Sequence, residues 1–197
     1  MRKMYLSAPL PFVGQKRMLA KEFMKVLEQY PDGTLFVDLF GGSGLLSHIT
    51  KSLKPHSTVI YNDFDNYRFR MKHIPQTNQL LADIREMVGN SVPRHKIIKG
   101  ELRERIFSRI EQEENSTGYV DFITLSSSIL FSMKYKLSVQ DMRKEALYNN
   151  IRKTGYPECT DYLEGLEIVS CDYKEVFNRY KDIPGVVFLV DPPYLST

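Results

Sequence analysis

The chain has no tryptophan and only two cysteines, Cys159 and Cys171, among 197 residues. Two cysteines are too few for the disulfide framework of a small secreted domain. No Cys-x-x-Cys or Cys/His cluster suggests a metal, so no metal and a reducing, cytoplasmic setting are expected. An apolar run of about 18 residues is also missing, so no membrane-spanning helix is expected. The first residues carry Arg2 and Lys3 but meet Pro9 and Pro11 before any sustained apolar stretch, unlike a secretory leader. An excess of one charge sign is lacking: 27 Lys and Arg against 24 Asp and Glu leave a net charge of +3, which permits a polyanionic partner without requiring one. With 42% hydrophobic residues the chain is long enough to bury one proper core, with room for an embedded subdomain.

What is present is patterned. Residues 16–29 place Leu19, Phe23, Val26 and Leu27 at helical spacing, and Tyr30-Pro31-Asp32-Gly33 closes the segment. Residues 34–40 form a short, nearly unbroken apolar run, the pattern of a strand buried on both faces. Glycines at 41, 42 and 44 then open a helical stretch over 45–53, and residues 58–61 read as a second strand ending in Asn62-Asp63-Phe64-Asp65. Strand, glycine-rich turn, helix, strand and acidic end in that order predict the opening half of a doubly wound, Rossmann-like α/β sheet.

From about 66 to 165 the texture changes to charged segments, with helices expected over 78–88, 100–112, 120–133 and 139–151. Strand character returns at 166–170, a short helix follows near 173–180, and 185–190 is the most strand-like run of the chain. The expected division is an α/β domain from 1–65 and 166–197, with a helical insertion over 66–165.

Three places carry chemistry. Phe40-Gly41-Gly42-Ser43-Gly44 sits where a strand meets a helix, where glycines let the backbone approach a ligand and the helix N-terminus attracts negative charge. A nucleotide-like cofactor suits such a turn, which is also common as plain turn chemistry. Asp63 and Asp65 stand where doubly wound folds put a carboxylate for ribose hydroxyls; they could equally cap the next helix. Asp191-Pro192-Pro193-Tyr194 is the sharpest signal. Two prolines fix the backbone and remove two donors, leaving the Asp191 carboxylate and the Pro192 carbonyl as preset acceptors beside an aromatic face, a set that suits an amine on a planar ring.

These segments together resemble the Dam-like family of DNA adenine-N(6) methyltransferases. Residues 11–17 are similar to the family's N-terminal motif, 37–44 to its S-adenosyl-L-methionine loop, Asn62-Asp63 to its ribose-binding strand end, and Ser170-Cys171-Asp172 to the strand end before the catalytic strand. The resemblance implies S-adenosyl-L-methionine as cofactor and double-stranded DNA as partner. It places Phe12, Lys16, Asp38, Phe40, Gly41, Gly42, Gly44, Asp63 and Asp172 around the cofactor, Lys16 and Asp38 toward its methionine end. Asp191, Pro192, Pro193 and Tyr194 would be catalytic, the first two holding the exocyclic amine of a flipped adenine and Tyr194 stacking on the base. Plainer roles exist for several: a solvated Lys16, a core Phe12, an Asp38 in an N-cap or ion pair, and an Asp172 that caps a helix.

Basic residues cluster in the insertion, at Arg94, Lys96, Lys99, Arg103, Arg105 and Arg109, and again between Lys134 and Lys153, where phosphate contacts would use them. Two departures from the resemblance stand out. Ser132 and Met133 replace an Asn-Gly usual before a basic residue in the helical region. The chain also stops at Thr197, three residues past the catalytic motif, where relatives continue. A truncated sheet with the strand before Asp191 at its edge is therefore expected, with pairing of two copies along that edge and weak activity of the chain alone. Rival readings are an exocyclic-amine methyltransferase acting on cytosine or RNA, and an inactive fragment that binds cofactor or DNA.

Overall fold

The computed structural model describes residues 3–14, 16–131 and 134–192. In chain order the elements are a 3-10 turn (Arg17–Leu19), α1 (Ala20–Glu28), β1 (Phe36–Asp38), α2 (Leu45–Leu53), β2 (Val59–Asn62), α3 (Tyr67–Lys72), α4 (Ile74–Val88), β3 (Ile97–Ile98), α5 (Gly100–Thr117), α6 (Phe122–Ile129), α7 (Val139–Arg143), β4 (Leu147–Tyr148), β5 (Glu167–Val169), α8 (Tyr173–Tyr180) and β6 (Val187–Leu189). They form two compact units, Met1–Met71 with Cys159–Thr197, and Lys72–Glu158.

The first unit is built on a parallel sheet in the order β5-β2-β1-β6. β1 is central, all three of its residues are buried, and an uninterrupted apolar run is what such a strand needs. Ala20 and Leu27 of α1 with Leu45 and Ile49 of α2 bury against Phe36, Val59 and Leu189, while Val176 of α8 packs with Val37 and Ile60. Because the side chains of a strand alternate, those two sets lie on opposite faces, and helices on both faces make the sheet doubly wound. It is the doubly wound, Rossmann-like α/β architecture that the sequence order predicts. From β1 the chain steps outward to β2 and β5, then α8 carries it back across to β6 on the other side of β1. The strand order reverses between β1 and β6, where a crevice opens at the carboxyl ends of such sheets. Among the described residues β6 has a strand partner on one side only.

This unit takes in more chain than the expected 1–65 and 166–197, and two anchors explain why. The Leu10 amide donates to the Tyr67 hydroxyl at 2.9 Å, and an Arg70 guanidinium N–H donates to the Pro11 carbonyl at 2.8 Å, so α3 belongs with the N-terminal strap. Tyr162, fully buried, donates to the Ser43 carbonyl at 3.1 Å and stacks on His48, ring centroids 4.7 Å apart, which ties the segment before β5 to the glycine turn.

The second unit is mostly helical. Ile84, Ile106, Phe107, Ile110 and Leu125 are among its fully buried residues, and Phe107 lies under the Arg103 and Arg143 guanidinium groups at 4.6 and 4.4 Å. α6 is capped by Asp121, which accepts from the Thr124 amide and hydroxyl, and α7 by Ser138, which accepts from the Asp141 amide. The helix expected over 139–151 ends at Arg143, because Leu147–Tyr148 pairs antiparallel with Ile97–Ile98. The stretch over 120–133 likewise yields a helix only to Ile129, and Ser132 and Met133 lie outside the described residues. Among the described residues no helix is long and apolar enough to cross a membrane.

Candidate active site

A cavity of about 510 Å³ opens at the carboxyl end of the sheet, at the strand-order reversal. One wall is the turn after β1. Gly44 takes φ 71° as the N-cap of α2 and Gly42 φ 50°, backbone conformations that favour glycine. A Cβ on Gly41 would lie 2.3 Å from the Tyr61 ring, and one on Gly42 would lie 2.9 Å from the Phe12 ring, so side chains on the turn would collide with the neighbouring walls. The Tyr61 hydroxyl lies 2.8 Å from the Gly42 carbonyl and 3.0 Å from the Asp63 carboxylate, and burial with that carboxylate pushes its phenol far above the ordinary range, keeping it a donor.

Asp38, the last residue of β1, forms the floor. It is 1% exposed; the Ser47 hydroxyl donates to Oδ2 at 2.7 Å, while Oδ1 is buried with no hydrogen-bond partner among the described residues. Burial lifts its pKa to about 7, against the pull of the Ser47 hydroxyl and with a push from the Asp191 charge. A buried carboxylate oxygen without a donor is an acceptor waiting for a cation or an N–H group.

Lys16 and Asp191, from opposite ends of the chain, meet in this cavity with Nζ 2.9 Å from Oδ1. Phe12, Phe40, Gly41, Gly42, Asp172 and Pro192 line it as well. Two predicted residues do not: Gly44 and Asp63. Gly44 serves the helix start against Tyr61 and Leu163. Asp63 is 3% exposed, and its carboxylate accepts from the Tyr67 amide at 2.6 Å and the Arg68 amide at 3.1 Å, capping α3. Asp65 lines the cavity instead, beside Asn62 and Phe64. Asp172 does both things weighed for it: Oδ1 accepts from the Lys174 amide at 2.8 Å as the α8 cap, and the residue lines the cavity. Pro193 and Tyr194 lie outside the described residues.

Residue-by-residue reading missed the aromatic rim. Phe64 is 66% exposed although it lines the cavity, and Tyr173 stacks obliquely on Phe40 with ring centroids 4.9 Å apart. An apolar side chain set between two aspartates at a strand end was the available signal for Phe64. Asn62 was noted only as part of a motif, yet it is the brace of the site. Its amide N–H groups donate to the Leu39 and Cys171 carbonyls at 3.0 and 2.9 Å, and its carbonyl accepts from the Cys171 amide at 3.1 Å.

The arrangement suits a cofactor with an aromatic base, a polar middle and a cationic end. The glycine turn leaves room that side chains would fill, the aromatic rim offers faces to stack on, and the open oxygen of Asp38 would accept from an ammonium group. A parallel, doubly wound sheet with such a cavity defines a Rossmann-like methyltransferase fold. The profile of the D12 class N6 adenine-specific DNA methyltransferases matches residues 12–197, and the chain belongs to that family. A Haemophilus influenzae (strain ATCC 51907 / DSM 11121 / KW20 / Rd) protein named "Putative methyltransferase" is 40% identical over 200 residues, covering 100% of this chain and 67% of that relative.

Proposed function

We propose that the chain transfers a methyl group from S-adenosyl-L-methionine to the exocyclic amine of an adenine flipped out of double-stranded DNA. The observation that carries the reading is the meeting of Asp38, Lys16 and the Asp191-Pro192 pair in one cavity at the strand-order reversal, in a member of an adenine-specific family. Asp38 Oδ1 would take the cofactor's ammonium and Lys16 its carboxylate, the turn over 41–44 would run under its middle, and Asp65 would take the ribose hydroxyls, with Asp63 shaping that strand end. Phe64, Phe40 and Tyr173 would bracket its base. Bound S-adenosyl-L-methionine supplies a methyl group on a sulfonium, already activated for direct displacement.

The protein's own part is positional and electrostatic. An aryl amine is a weak nucleophile because its lone pair is delocalised into the ring. Asp191 and the Pro192 carbonyl, accepting from its two N–H bonds, would favour the pyramidal form whose lone pair is free to attack, and Tyr194 would stack on the extruded base and offset part of the cost of unstacking it. No covalent intermediate and no metal is needed. The proposal extends to a cytoplasmic setting, to the second unit as the part that meets DNA, and to pairing of two copies along β6, which among the described residues has a strand partner on one side only; sedimentation reads it.

The test is S-adenosyl-L-methionine binding by calorimetry followed, in the same samples, by tritium transfer to unmethylated DNA, with Asp191→Ala beside the wild type. Binding with transfer that Asp191→Ala abolishes is expected. Transfer to RNA or to cytosine instead would replace the substrate, binding without transfer would favour a cofactor-binding remnant, and no binding would sink the cofactor assignment.

A further inference from the structure

The second unit holds two populations of cations. Arg103, Arg109, Lys134, Lys136, Arg143 and Lys144 each lie within 3.0 Å of a carboxylate of the same unit: Arg109 on Asp83 and Glu113, Arg143 on Glu104 and Glu111, both lysines 134 and 136 on Glu145. Those charges are already neutralised, although all six stood out in the sequence as phosphate contacts. Of the rest, which have no carboxylate partner among the described residues, Arg94, Lys96, Lys99, Arg152 and Lys153 fall close to the β3–β4 pairing. All five are exposed, and among the described residues none makes an ion pair with a carboxylate.

The β3–β4 ribbon brings these five together from two distant stretches of chain. The His95 amide donates to the Asn149 carbonyl at 3.0 Å and the Asn149 amide to the Lys96 carbonyl at 2.9 Å, extending the strand pairing beyond Ile97 and Tyr148. The Arg94 guanidinium donates to the Ile151 carbonyl, the Arg85 Nε–H to the Arg152 carbonyl at 2.9 Å, and the Arg152 guanidinium lies 4.2 Å over the Tyr156 ring. Of the acidic residues near them in sequence, Glu145 is taken by Lys134 and Lys136, and among the described residues no ion pair joins Glu101 or Glu158 to these cations. Like charges gathered on a rigid ribbon without counter-charges repel one another, which folding alone does not reward; they raise the local concentration of a polyanion.

We infer that the β3–β4 ribbon is a docking ledge for the phosphodiester backbone of duplex DNA, one that positions the duplex and reads no base. The inference rests on the proposed DNA substrate. Flexible lysines on a ribbon edge suit point-charge contacts to phosphate, whereas the amides that could read base edges in a groove are already engaged, Asn149 on the Val92 carbonyl and Asn150 on the Leu130 carbonyl and the His95 ring.

The test measures binding of a duplex of arbitrary sequence against salt for the wild type and two triple variants. Lys96→Gln/Lys99→Gln/Lys153→Gln strips the ledge while sparing Arg94 and Arg152, which hold backbone or ring. Lys134→Gln/Lys136→Gln/Lys144→Gln removes the same charge from the paired population. Each lost phosphate contact lowers the slope of log affinity against log salt by roughly 0.9, so the ledge variant should lose about two to three in slope and on the order of ten- to a hundred-fold in affinity near physiological salt, and the control far less. S-adenosyl-L-methionine binding, unchanged in both, reports that the fold is intact. A ledge variant that binds DNA like the control overturns the ledge and leaves the substrate reading standing. A wild type that binds cofactor but no duplex overturns the substrate reading, and the ledge with it. Preference for single-stranded RNA through the same lysines would reassign the polyanion and overturn the duplex assignment.

Discussion

Lys16 Nζ lies 2.9 Å from Asp191 Oδ1, so the lysine expected at the cofactor's carboxylate touches the carboxylate expected to hold the acceptor amine. The two side chains are 17% and 28% exposed, so water still reaches and screens the pair, and its contribution to stability is on the order of 1 kcal/mol. Lys16→Met should therefore leave the melting temperature within a few degrees of the wild type while reducing methyl transfer by roughly ten-fold or more, because it removes the ion-pair partner of Asp191 and, in the proposed mechanism, the group that meets the cofactor's carboxylate. Transfer at the wild-type rate by a folded Lys16→Met protein would remove Lys16 from the site.

Asp38 has the clearest pH signature. Its folded pKa near 7 stands above the ordinary carboxylate value of 3.8, so the folded chain holds a proton there that the unfolded chain has lost. Its contribution to stability is present below about pH 4 and declines as pH rises toward 7. A cationic ligand reverses the preference and drives that proton off. Affinity for S-adenosyl-L-methionine should rise from pH 5.5 to about 7.5, with up to one proton released per cofactor, and level off where the cofactor's amino group loses its own charge near pH 8. Calorimetry in buffers of different ionisation enthalpy measures the proton. Asp38→Asn should flatten the profile; an equally steep one would assign the proton to another group.

The two aspartates after β2 should separate cleanly. Asp63 caps α3 and accepts from Tyr61, so Asp63→Ala should cost about 1 to 3 kcal/mol of stability, read as a lower melting temperature. Asp65→Asn should leave stability nearly unchanged and weaken S-adenosyl-L-methionine by about ten-fold, since it removes a charge-assisted acceptor at the cavity wall. The reverse pattern would return the ribose to Asp63.

Gly41→Ala tests the close approach of the turn to its neighbour. The new methyl would stand 2.3 Å from the Tyr61 ring and 2.8 Å from the Asn62 carbonyl, one soft contact and one backbone contact. Relief requires moving either β2 or the turn, at about 1 to 3 kcal/mol or more. Circular dichroism melts would show it; an unchanged melt would mean that the turn moves freely.

Much of this was legible in the chain because the signals are local. Residues 45–53 form α2 as read, since the glycine turn marks the start and Leu45 and Ile49 the buried stripe. The carboxyl-end residues Asp38 and Asp191 follow from strand ends, which period and composition reveal. What escaped depends on distant partners. β4 is two residues that become a strand only because Ile97–Ile98, some fifty residues earlier, pair with them, and no periodicity announces so short a segment. Asp63 and Asp65 are chemically equal in sequence, and the direction of α3 decides which one keeps its oxygens for a ligand. The basic residues of the insertion divide into paired and unpaired sets only once helices align Glu104, Glu111 and Glu145 with them.

The Asn62 side chain grips Leu39 on one side and Cys171 on the other. Three segments that carry the acidic groups Asp38, Asp65 and Asp172 thus share one fastening. Their spacing is inherited from a single amide, and the walls can shift only in concert. A change to Asn62→Asp would set an acceptor against two carbonyls and release all three at once, so the residue least able to do chemistry would be among the least replaceable for it.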